Sequence, residues 1–368
     1  MSVQNAAIAG NPNSVQVRTL PMQGPEDVTG LAAAFAGGLD AAALLALFVK
    51  TEGNGLDNDW SRPLAVRAVL DLLAAQPARG ASSAATPMIV VSGGCEGFLT
   101  PHMIVVSRGH GGLRCATAES RPLGAHEIGT ASQIEATAAA FRSACRALEA
   151  GDIGYAHAVA PWIDDSLPAA GPRVAEDAHA SKPFTRAATA LGAAVALDGL
   201  PMAAAIEALG ARDAAVHGLR CGVTAGATGG RVRVLVLANG DAADARARDT
   251  PFGAQRVACV ALRDPLDLAS VQASVPAGRR ALGVFFKGDP PPTDRVRGER
   301  VVLGRDSDLH AFRHYRAAMS GVLGAGLGTT RLFVGGGAEH QCPAGGALLS
   351  VVTEPLPDAE PGEAERSR

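Results

Sequence analysis

Little in this chain is aromatic or strongly charged. Aromatic residues make up only 4% of the sequence, so cohesion must come from small side chains. The 47% hydrophobic content is rich in alanine, and 44 glycines add tight turns and close helix–sheet contact. The formal net charge is −3 with no concentrated basic patch, which argues against nucleic-acid binding. No apolar run reaches the ~18 residues that a membrane helix needs. The stretch Met1 to Asn13 is polar and has no basic region leading an apolar one, so a secretory signal is not expected. Six cysteines are present, none in a CxxC pair, which removes the usual zinc and redox motifs and leaves free thiols in a cytoplasmic protein as the expectation.

What is present is a motif with echoes. Val90-Val91-Ser92-Gly93-Gly94-Cys95-Glu96-Gly97 reads as a strand that ends by presenting a hydroxyl beside bare backbone N–H groups. Phe333-Val334-Gly335-Gly336-Gly337-Ala338-Glu339 repeats the pattern, and Val223-Thr224-Ala225-Gly226 is a fainter copy. The three turns begin at Ser92, Thr224 and Gly335, each more than a hundred positions from the next. Such a period is too long for a solenoid and fits similar domains in one chain. The expected fold is α/β (α+β), with sheets packed centrally and helices outside. The repeats are expected at 1–117, 118–250 and 251–355, followed by an acidic, disordered tail at 356–368. Within them, Ser61 is expected to cap a helix over 62–75, and Ser132 a helix reaching 150. Further helices are expected over 184–197, 202–209 and 308–323.

Lys50-Thr51-Glu52-Gly53-Asn54-Gly55, Ser92-Gly93-Gly94 and Gly336-Gly337-Ala338-Glu339-His340-Gln341, in this order, resemble the cyanuric acid hydrolase/barbiturase family of ring-opening amidohydrolases over about residues 14–354. The resemblance implies three like domains around one active site with pseudo-threefold symmetry, a small heterocyclic substrate and a homotetramer. It also implies a lysine, an arginine and a Ser-Gly/Ala-Gly turn from each repeat. Carried over, the first repeat supplies Lys50, Arg62 and Ser92. The second supplies Arg186 and Thr224, with Val159 in the lysine position. The third supplies Lys287 and Arg313, with Gly335 in the serine position. The step from Val159 to Arg186 nearly equals that from Lys287 to Arg313, but the step from Lys50 to Arg62 is less than half as long.

Opening a cyclic imide needs a nucleophile, a base and a stabilised oxyanion. Ser92 with Lys50 is the complete pair. The lysine can act as a base only if burial or nearby cations pull its pKa down. The three arginines are expected to hold carbonyl oxygens, aided by Gly93, Ala225, Gly336 and the hydroxyl of Thr224. Each of these residues has a plainer reading, as a turn, a solvated lysine or a surface arginine, and the repetition favours the site. Cys95 reads as a half-buried inert thiol, and Lys182 as a possible substitute for the missing second-repeat amine. No cofactor is expected for the chemistry. The resemblance implies a structural Mg²⁺ or Ca²⁺ held by Asp289 and by Ala338, Gln341, Pro343, Gly345 and Gly346. Because the second-repeat pair reads Thr224 and Val159, a second reading stays open: a relative that binds a heterocycle or catalyses ring closure or tautomerisation without hydrolysis.

Overall fold

The computed structural model describes residues 13–54, 58–76, 86–148, 152–168, 170–240, 254–305 and 308–356. The polar stretch before residue 13 and the expected tail after residue 356 lie outside the described residues, as does the expected repeat boundary at 250/251.

Each repeat is a four-stranded sheet with helices on one face. In the first, the strands are β1 (Ser14–Pro21), β2 (Leu44–Lys50), β3 (Met88–Ser92) and β4 (His102–Arg108). They lie in the order β3-β2-β4-β1, with β2 and β3 parallel and the other neighbours antiparallel. The second repeat uses β5 (Leu113–Glu119), β6 (Asp152–Pro161), β7 (Cys221–Ala227) and β8 (Arg233–Asn239), in the order β7-β6-β8-β5. The third uses β9 (Arg256–Leu262), β10 (Arg279–Gly288), β13 (Phe333–Gly335) and β14 (Ala347–Pro355), in the order β13-β10-β14-β9. Between its strands a short ribbon, β11 (Arg295–Val296) and β12 (Glu299–Arg300), pairs with itself. Strand order and directions are therefore the same three times, as the echoes predict. The first two sheets join edge to edge through β1 and β5 into eight strands. Strand β5 pairs along its length with β8, and its range spans the expected border at 117/118.

The helices are α1 (Thr29–Ala36) and α2 (Ser61–Ala74) on the first repeat, and α3 (Ala131–Ala147), α4 (Ala178–Leu197) and α5 (Met202–Ala211) on the second. The third carries α6 (Leu268–Ala273) and α7 (Ala311–Leu327). Ser61 is not a cap: it is the first residue of α2, and its hydroxyl bonds back to the Glu52 carbonyl and Thr51, tying the loop after β2 to the helix. Ser132 likewise lies inside α3, whose flanking residue is Thr130. Helix α4 starts earlier than expected because Asp177 accepts the Ala180 N–H as an N-cap; Pro183 is then the sixth helical residue and withholds one i→i−4 N–H bond.

The three sheets face one another across a shared core to which Val17, Phe48, Ile104, Tyr155, Leu235, Phe285 and Phe333 contribute. Four aromatics meet there, and Phe48 packs edge-on against both Phe285 and His157, at 4.9 Å between ring centres in each case. No helix among the described residues is long and apolar enough to cross a membrane.

Candidate active site

Register fixes the equivalent positions. Across the parallel strand pairs, Lys50 faces Ser92, Val159 faces Thr224 and Lys287 faces Gly335. The residue two places after each of these turn positions, Gly94, Gly226 and Gly337, has φ of +89°, +144° and +69°, a conformation that L side chains rarely adopt. The turns Ser92-Gly93-Gly94, Thr224-Ala225-Gly226 and Gly335-Gly336-Gly337 are thus one structure used three times.

Contacts between repeats bring the three strand ends together. Lys50 is fully buried, and its Nζ lies 3.2 Å from Ser92 Oγ, 3.2 Å from the Gly93 carbonyl and 2.7 Å from the Val334 carbonyl of the third repeat. Burial, with help from the Arg316 charge, pulls its pKa down to about 8. Lys287 is also buried and lowered to about 8, by burial and Arg186; it donates to the Gly336 carbonyl at 2.7 Å. A side chain on Gly335 would begin 3.3 Å from Lys287 Nζ, so the third lysine stands where a serine partner would be. The second and third repeats meet through the Val223 N–H, which donates to Gln341 Oε1 at 2.7 Å. The first and second share a cavity of about 390 Å³, lined by Arg62, Val159, Trp162, Lys182, Thr224 and Ala225 among others.

Two ion pairs brace the turns. Arg186 forks onto Glu339 with bonds of 2.6 and 2.7 Å, and Arg316 forks onto Glu96 with bonds of 2.5 and 2.9 Å. Both arginines press on a glycine of the turn, Gly337 and Gly94 respectively. The third-repeat counterpart of Arg186 is therefore Arg316, one helical turn beyond the expected Arg313. Arg313 is 45% exposed and reaches Glu96 only at 3.5 Å. Spacing alone cannot resolve this, since residues 313 and 316 share a face of α7. Glu96 and Glu339, each four positions after its turn position, are not among the residues that the sequence reading singles out, although the echo itself repeats them.

The remaining expectations divide. Cys95 is an inert thiol: burial raises its pKa to about 11. The amine of Lys182 sits over the Trp162 ring, 5.6 Å from its centre, and 3.2 Å from His179 Nδ1. The expected cation donors are engaged with protein groups. Both Asp289 oxygens accept backbone N–H groups, from Gly337 at 2.6 Å and Ala338 at 2.7 Å. Gln341 is spent on Val223 and Gly337, and the carbonyls of Ala338, His340 and Pro343 each accept a protein N–H. Gly345 takes a positive φ of 75°, and the carbonyl of Gly346 accepts the Cys342 thiol. Among the described residues, no cluster of three or more His, Cys, Asp or Glu side chains could hold a metal. The role this geometry gives Asp289 is to pin the Gly-Gly-Ala loop.

Comparison with known proteins agrees with this architecture. The amidohydrolase ring-opening protein family model matches residues 16–354. A cyanuric acid amidohydrolase from Methylobacterium sp. (strain 4-46) is 35% identical, covering 93% of this chain and 97% of that one. A cyclic amide hydrolase from Azorhizobium caulinodans is 30% identical, covering 92% and 99%. The crystal structure of cyanuric acid hydrolase from A. caulinodans superimposes with a TM-score of 0.79 at 28% identity, covering 94% and 99%. A second cyanuric acid hydrolase structure, described as structural concatenation, gives 0.76 at 26% identity, covering 93% and 99%. With the model matched from one end of the repeated fold to the other, and relatives alike over nearly their whole length, this chain belongs to the ring-opening amidohydrolase family of the cyanuric acid and cyclic amide hydrolases.

Proposed function

We propose that the chain hydrolyses a small cyclic imide, cyanuric acid or a barbiturate-like ring, with Ser92 as nucleophile and Lys50 as its base. The observation that carries this reading is the bonding of Lys50 Nζ. A neutral amine has two N–H groups and one lone pair. As an ammonium, Nζ donates to Ser92 Oγ and to the carbonyls of Gly93 and Val334; once it gives up a proton, the two carbonyls keep the remaining N–H groups and the lone pair is left for the Ser92 hydroxyl. A pKa of about 8 keeps a useful share of that neutral form near neutral pH.

In the reaction, Lys50 takes the hydroxyl proton as Ser92 Oγ attacks a ring carbonyl. The oxyanion forms beside the glycine-rich turn, whose N–H groups are close enough for donation because no side chains shield them. The C–N bond breaks, and the ring nitrogen leaves with the proton held by Lys50. Water then hydrolyses the Ser92 ester, with the amine again as base, and the opened ring departs with a free carboxylate. Arg62, on the wall of the cavity shared with Thr224, supplies positive charge for a carbonyl or a ring anion.

The test is ring opening of cyanurate and barbiturate by the purified protein. Ser92→Ala and Lys50→Met should each lower kcat by about 10³-fold or more. Tight ring binding by the wild type with no turnover would replace this reading with that of a non-hydrolytic ring binder. The altered second-repeat pair, Thr224 and Val159, is the observation on that side.

A further inference from the structure

The middle strands differ in one telling way. Two residues before the lysine position, the first and third repeats carry Phe48 and Phe285, and the second carries His157. The second repeat thus lacks the lysine but has an imidazole one strand period below it, on the same face. His157 is buried, and its Nε2 lies 3.2 Å from Thr224 Oγ1 while its Nδ1 lies 2.8 Å from Tyr155 Oη. Thr224 in turn lines the 390 Å³ cavity, as does Val159. Room for the chain is reserved by Gly222: a Cβ there would lie 2.9 Å from Tyr155 Oη and 3.4 Å from His157 Nδ1.

Counting protons assigns the direction of these bonds. Tyr155 is buried, and His157 is its one hydrogen-bond partner among the described residues. If Nδ1 carried the imidazole proton, the tyrosine O–H would be left without an acceptor, at a cost of about 1–3 kcal/mol. With the proton on Nε2, every group is satisfied: Tyr155 O–H donates to Nδ1, and Nε2–H donates to Thr224 Oγ1. Burial, together with the Lys287 charge, holds the imidazole neutral, with its pKa lowered to about 3. Thr224, its oxygen already accepting, keeps its own proton for the cavity.

We infer that the Tyr155–His157–Thr224 chain makes Thr224 a fixed hydrogen-bond donor to a carbonyl oxygen of the ring, with His157 as its positioning residue, rather than a second nucleophile. The second corner then reads substrate, and the chemistry belongs to the first. No bond to Thr224 forms or breaks, and no proton leaves the chain. This inference rests on the ring-opening reading for its kinetic test and adds a binding test that does not.

The variants are His157→Phe, which restores the ring found at the matching places of the other repeats, and His157→Gln. The glutamine amide can donate to Thr224 and accept from Tyr155, but it cannot take up a proton as a base. In cyanurate turnover, His157→Phe should lose about tenfold or more in kcat. His157→Gln should recover most of that loss, while His157→Phe, which strands the Tyr155 O–H, should also show the lower thermal midpoint. In a Ser92→Ala background, cyanurate affinity measured by calorimetry should follow the same order. Equal loss in both variants would make the imidazole a base and overturn the inference, and no loss in either would also overturn it. If the wild type turns over no ring, the ring-opening reading fails by itself, and the calorimetric order of the two variants still decides the role of the relay.

Discussion

Lys50 and Lys287 occupy matching strand ends, are both buried and are both lowered to about 8, yet only Lys50 has a hydroxyl to act on. The difference is one side chain, Ser92 against Gly335. Because the unprotonated amine is the active form, kcat/KM for ring opening should rise by about tenfold per pH unit in acid and level off above about 8. A profile flat from pH 6 to 9 would remove Lys50 from the role of base. Gly222 offers a second test at this scale. Gly222→Ala must push a methyl against the buried Tyr155 hydroxyl and should cost about 1–3 kcal/mol in chemical denaturation. The strand ends at Ser92 and Lys50 were legible in the sequence because a turn motif and a lysine after an apolar run are local signals. His157 was not, since its meaning depends on which residue of β7 lies beside it, and only strand register supplies that.

At the scale of elements, the turns are held by groups that arrive from other repeats. Helix α7 sends Arg316 to the first turn through Glu96, and α4 sends Arg186 to the third through Glu339. Glu96 and Arg316 are 7% and 12% exposed, so removing one partner strands a buried charge. Glu96→Ala is therefore expected to lower stability by about 3 kcal/mol in chemical denaturation. An unchanged denaturation midpoint would mean that the pair braces nothing. The sequence points to α7 and to an arginine near its start, but not to the right turn of the helix. Arg313 and Arg316 lie one turn apart, and the choice between them is made by how the helix is rotated against the first repeat. Asp289 pins the third turn from within its own repeat, with both of its oxygens accepting backbone N–H groups of the loop.

At the scale of the whole molecule, three copies of one sheet order enclose a core that includes Phe48, Tyr155, Phe285 and Phe333. The triplication was legible because each copy repeats a strand–turn signature more than a hundred positions on. The joining of β5 to the neighbouring sheet edge at Ser14 and Val15 was not, because no local sequence signal marks that junction. With the loop donors at 337–346 already bonded to protein groups, chelation by EDTA should leave the thermal midpoint unchanged. A clear fall reversed by Mg²⁺ or Ca²⁺ would return a cation to that loop.

In the proposed reaction the three corners do unequal work: one attacks, and the others hold. Rapid quenching of the protein during turnover of cyanurate, followed by peptide mass spectrometry, measures this directly. A ring-derived adduct should appear on the peptide containing Ser92 and on no other. An adduct on Thr224, or turnover undiminished in Ser92→Ala, would contradict it.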